Sequence, residues 1–177
     1  MRKFTFSPVR KVSASVTTST SVRDPGLYTR DRYAWSIDQM NALQERRFSD
    51  LDIANLVGEI ADVGRSQHTR LEGMLIALLM HLLKWDHLPE GRSRSWEAAV
   101  DEQRRGIAEA LERNPSLKDH IDQMLREAFG IARERVSGET DLPLDRLPEA
   151  NPYDWQQAIG REVKFDADRQ LGQVQER

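Results

Sequence analysis

Between residues 51 and 86 the apolar side chains keep one helical phase without a slip. Set at about 100° per residue, Ile53, Leu56, Val57, Ile60 and Val63 fall on the same arc as Leu71, Met74, Leu75, Leu78, Leu82 and Trp85. The pattern predicts one helix over about 51–86, about 50 Å long at 1.5 Å per residue, with a break near Gly64 as the main alternative. From Met74 to Leu83 the apolar residues occupy nearly the whole circumference, so this half is expected at the centre of a bundle. The longest uninterrupted apolar run, Met74 to Met80, is far short of the roughly 20 residues that a membrane-spanning helix needs.

The flanking segments read as shorter helices. Asp31 can cap a helix whose apolar stripe is Tyr33, Ile37, Met40 and Leu43, with Trp35 beside it, and Ser49-Asp50 offers a cap for the long helix. Pro89 and Gly91 end the long helix. Ser93 or Ser95 restarts a helix carrying Trp96, Val100, Ile107 and Leu111, and Asn114-Pro115 or Ser116 opens the next, with Leu117, Ile121, Met124, Leu125, Ala128 and Ala132 in phase and Gly138 as its stop. After a proline-bearing loop, Asn151-Pro152 starts a short helix holding Tyr153, Trp155 and Ile159. With no strand pattern in competition, the expected fold is all-α: a single-domain bundle of four to five helices around one long central helix. An apolar fraction of 38% over 177 residues suffices for one core.

Charge divides the chain more sharply than the total of −3 suggests. Residues 1–23 hold Arg2, Lys3, Arg10, Lys11 and Arg23 and no acid; subtracting these five positive charges leaves −8 for residues 24–177. The expected organisation is a disordered basic leader over 1–26, a helical bundle over 27–160, and a polar, partly ordered tail over 161–177. An organellar transit segment and a tail that contacts a polyanion are the alternatives for the leader. The acidic body disfavours nucleic acid, because affinity there rests on neutralised phosphates. The absence of cysteine excludes disulfides, thiolate metal sites and cysteine nucleophiles, and fits a cytoplasmic setting.

Tyr33-Ala34-Trp35, Leu51-Asp52-Ile53-Ala54-Asn55-Leu56, Gly64-Arg65-Ser66, His81-Leu82-Leu83-Lys84-Trp85 and Arg92-Ser93-Arg94-Ser95-Trp96 occur in that order. The succession resembles the bacterial domain-of-unknown-function family numbered twenty-nine over roughly residues 27–160. Asn151 stands where members of that family often carry cysteine, which removes any thiol role from that corner. The resemblance implies a small helical fold and a bacterial setting, and it implies no catalytic residue.

Candidate chemistry is sparse. His81 sits on the shoulder of the stripe, as a ligand or general base on one reading and a core-edge histidine on the other. His68 and Glu72 have a two-ligand i, i+4 spacing, but Arg65 shares their face, and an Arg–Glu–His surface network is the competing reading. Glu59 and Asp62 lie off the stripe, and their competing reading is a solvated face. Arg92, Arg94 and Trp96, close to Lys84 and His87, form the best surface for an anionic ligand or protein partner, against a reading in which Trp96 anchors the core and the arginines pair with carboxylates. No metal site and no cofactor are expected. The leading expectation is a non-enzymatic helical module that binds a macromolecular partner or self-associates as a homo-oligomer. The alternative is a small enzyme or ligand-binding protein using His81 with carboxylates such as Glu59.

Overall fold

The computed structural model describes residues 24 and 26–166. Residues 1–23, 25 and 167–177 lie outside it, and with them most of the expected leader and the end of the tail. The described residues form six α-helices in order: α1 Leu27–Arg30, α2 Arg32–Gln44, α3 Ile53–His87, α4 Arg94–Arg113, α5 Ile121–Glu139 and α6 Trp155–Gly160. Short 3-10 turns at Phe48–Asp50, Pro89–Gly91, Pro115–His120 and Leu144–Arg146 connect them, and there is no strand among the described residues. The all-α expectation holds, and α3 is one continuous helix through Gly64.

The chain divides into two compact units at Gly58–Glu59. In the first, Asp31 caps α2 as its sequence position predicts, accepting a bond from the Ala34 N–H at 2.9 Å. The face that α2 buries differs from the expected one. Trp35, Gln39 and Ala42 are buried, whereas Tyr33, Ile37, Met40 and Leu43 are exposed. The reason is polar. The Gln39 side-chain carbonyl accepts the Asp52 N–H at 2.6 Å, and the Asp52 carboxylate, itself buried, accepts from Asn55 Nδ2 at 2.6 Å and from the Trp35 indole at 3.4 Å. Buried polar groups require partners, and this set of bonds turns α2 so that Gln39 faces inward. The Ser49-Asp50 pair does not cap α3: Asp50 closes a 3-10 turn and pairs with Arg47, and the last residue before α3 is Asp52.

The second unit holds the main core. Leu71, Leu75, Leu78, Leu79, Leu82 and Leu83 of α3 are each 0% exposed, in one cluster with Val100, Ile107 and Leu111 of α4 and with Met124, Leu125, Ala128, Ala132 and Val136 of α5. Gly106 of α4 allows the close approach, since a Cβ there would meet Met74 Sδ at 2.9 Å. The cluster extends to Leu147, Tyr153, Ala158 and Val163, so the described start of the tail packs on the core. There the Phe165 N–H donates to Glu97 Oε2 at 3.1 Å. α6 begins at Trp155, later than Asn151-Pro152 suggests, because Asp154 and Gln157 form a reciprocal capping box.

At the centre of this cluster, Leu79→Ala is expected to destabilise the protein by about 2–5 kcal/mol in a denaturant titration. A loss below about 1 kcal/mol would contradict a tightly packed α3–α4–α5 core.

Candidate functional site

Most of the residues singled out from the sequence cluster around the C-terminal end of α3, where the last carbonyls lack helical partners and the helix dipole favours cations. Arg92 serves that end. Its Nε donates to the Trp85 carbonyl at 2.7 Å, and its guanidinium lies 5.3 Å from the centre of the Trp85 ring. Gly91 lets the following helix close over the turn, since a Cβ there would stand 2.7 Å from the Trp96 ring. Trp96 is half-buried against the core. Lys84 is mostly buried and its Nζ bonds Glu139 of α5 at 2.6 Å. His87 is half-buried beside Asp86, and Arg94 is exposed. The five residues expected to form one ligand surface are therefore divided: Arg92, Lys84 and Trp96 close the helix end, His87 is half-buried, and Arg94 faces solvent.

Asp86, absent from the sequence expectations, is the better-organised group at this end. It accepts from the Tyr153 hydroxyl at 2.7 Å and from both terminal nitrogens of Arg161, at 2.8 and 3.0 Å, while Arg161 also lies 5.4 Å from the centre of the Tyr153 ring. Burial opposes the charge on Asp86, but the bonds from Arg161 and Tyr153 outweigh it and keep the carboxyl below its usual range. Burial, followed by the bond to Asp86, pushes the Tyr153 hydroxyl up. Arg104 donates from Nε to the Ala158 carbonyl at 3.0 Å in the same region. The arrangement ties α3 to the final helix and its following segment as a structural clasp, in which Asp86 pairs with Tyr153 and Arg161 while the buried Arg104 Nη2 has no hydrogen-bond partner.

His81 is half-buried, and its buried Nδ1 has no hydrogen-bond partner. Desolvation, followed by the charge on Lys84, lowers its pKa against the opposing pull of Glu139. The carboxylate that acts on it is Glu139. Glu59 is 22 residues away on the same continuous helix, about 33 Å at 1.5 Å per residue, which corrects the expectation that the fold could bring Glu59 to His81. A general base needs a partner within hydrogen-bond reach, and no such pair is formed at His81.

His68 also departs from its expected partners. Arg65 pairs with Asp62, and the His68 ring faces His120, with 6.5 Å between ring centres at an angle of 63°. The two line an open pocket of about 400 Å³ with Gly64, Arg65, Thr69 and Leu117. No spacing rule could have joined residues 52 positions apart. Among the described residues no group of three or more metal-ligating side chains comes together.

What remains is apolar. In the first unit the exposed side chains of α2 are Tyr33 (77%), Ile37, Met40 and Leu43, and the first turns of α3 expose Ile53 and Val57. Ile60 and Val63 of the second unit are exposed in turn. Monomer surfaces tolerate scattered apolar residues, but successive helical positions on one face mark contact surfaces.

Two consequences are testable. Because His81 takes up its proton below the ordinary value of 6.5, the unfolded chain binds it first as pH falls. The stability that neutral His81 contributes is therefore complete above pH 6.5 and is lost as pH drops below it. His81→Gln is expected to flatten that fall, and parallel stability profiles for wild type and variant would contradict it. Tyr153→Phe removes one bond to a charged, partly exposed acceptor and is expected to cost roughly 1–2 kcal/mol; an unchanged denaturation midpoint would show that the clasp contributes nothing.

A family model described as "Domain of unknown function DUF29" matches residues 27–163. No curated protein and no solved structure matches the chain.

Proposed function

The chain belongs to the DUF29 family, and on that premise we propose that it is a non-enzymatic helical interaction module that works through the exposed apolar faces of its first unit. The observation that carries this reading is the second apolar face of α2. One face, Trp35, Gln39 and Ala42, is buried within the chain, and the other, Tyr33, Ile37, Met40 and Leu43, is left open. A helix that is apolar on two sides gains from burying both. A bacterial, cytoplasmic setting belongs to the same proposal, and the cysteine-free composition fits the reducing compartment it implies. The arginine turn is less suited to this role, because Arg92 is engaged by the Trp85 carbonyl and ring.

The test compares the full chain with an Ile37→Asp, Met40→Asp variant for binding of a dye that fluoresces on apolar surface. Both side chains are partly exposed, so the variant should melt within a few degrees of wild type and bind several-fold less dye. Equal dye binding by the two folded proteins, at a dilution where both sediment as monomers, would overturn the reading.

A further inference from the structure

We infer that the open apolar faces of residues 24–58 form a two-fold interface, and that their occupant is a second copy of this chain. The inference rests on the interaction-module reading and names its partner. Three observations select this partner.

The first is size. Tyr33, Ile37, Met40, Leu43, Ile53 and Val57, with Phe48 between the helices, are between 38% and 77% exposed. At up to about 120 Å² of apolar surface per such side chain, they leave about 450 Å² of apolar area open. With apolar atoms at about 60% of an interface, that is the apolar content of an interface of about 750 Å². A stable dimer needs about 800 Å² from each partner.

The second is charge. An isologous contact sets a surface against itself, so any charge at its centre meets its own kind. The open side of α2 has none: between its apolar positions stand Ser36 and Gln44. Ile53, Ala54, Val57 and Gly58 at the start of α3 are equally uncharged, and the one acid there, Asp52, is buried. A self-contact through these faces brings no like charges together.

The third is the rim. Arg30 pairs with Asp24, and Arg47 with Glu45 and Asp50. These pairs hold three acids and two bases of residues 24–58, and the apolar face itself is built of uncharged side chains, with no cluster of like charge on it to select a polyanion, an anionic membrane or a strongly basic partner. What is left to recognise the face is apolar shape, which the same face on another copy supplies.

The experiment is sedimentation velocity of the full chain across a wide range of concentration, for wild type, for Ile37→Asp with Met40→Asp, and for Val57→Asp, each with a thermal melt and the same apolar dye. The expected result is a concentration-dependent dimer for wild type, with a dissociation constant roughly tenfold or more weaker in each folded variant. Tyr33→Ser, at the most exposed position, serves as the milder substitution if an aspartate variant does not fold. A dimer that every folded variant retains would overturn the assignment of this face. A wild type that stays monomeric while binding dye at a face the variants lose would overturn self-association and leave the interaction reading standing. A monomer that binds no dye would overturn both.

Discussion

Leu71 marks the point on α3 where the apolar stripe acquires neighbours. Beyond it Leu75, Leu78 and Leu82 are closed off in one cluster with Val100, Ile107, Met124 and Ala128, while before it Ile53, Val57, Ile60 and Val63 remain open on the same helix. A stripe is favourable only where it is buried, and in a single chain just half of this one is. The remaining half is energetically unfinished. The same holds for α2, which spends one face on Trp35, Gln39 and Ala42 and leaves its more apolar face outward.

The polar interior of the first unit explains that choice. A buried carboxylate is tolerated only with bonds to it, and Asp52 obtains them from Asn55 and the Trp35 indole, while its own N–H is accepted by Gln39. Rotating α2 to bury Ile37 and Met40 would withdraw Gln39 and Trp35 from Asp52. The polar set therefore fixes the rotation of α2, and the outward apolar face is its consequence. At the other end of α3 the polar groups have a different use: Arg92 satisfies a terminal carbonyl and Asp86 receives Tyr153 and Arg161, so these bonds hold the helix end and its neighbours together.

The helices were legible because period, caps and breakers agree. Asp31 caps α2, Pro89 and Gly91 form the turn after α3, and the unbroken phase from Ile53 to Trp85 predicts the one helix that is found. The buried face of α2 was not legible. Counting apolar residues favours Tyr33, Ile37, Met40 and Leu43, and only the later Asp52 reveals why a glutamine lies inside. Asp86, Tyr153 and Arg161 gave no local signal, being separated by 67 and 75 positions. For Arg92 the sequence carries two signals: a basic residue just past a predicted helix end suits the orphan carbonyls and the dipole, and two arginines standing with a tryptophan suit an anionic ligand.

The most direct measurement is hydrogen exchange resolved along α2 and α3 at low and high protein concentration. Amides of 71–83 should be strongly protected at both, whereas those of 33–43 and 53–57 should gain protection as concentration rises and a second copy covers them. Protection at 33–43 and 53–57 that does not change with concentration would contradict the claim that these faces are completed by another copy of the chain.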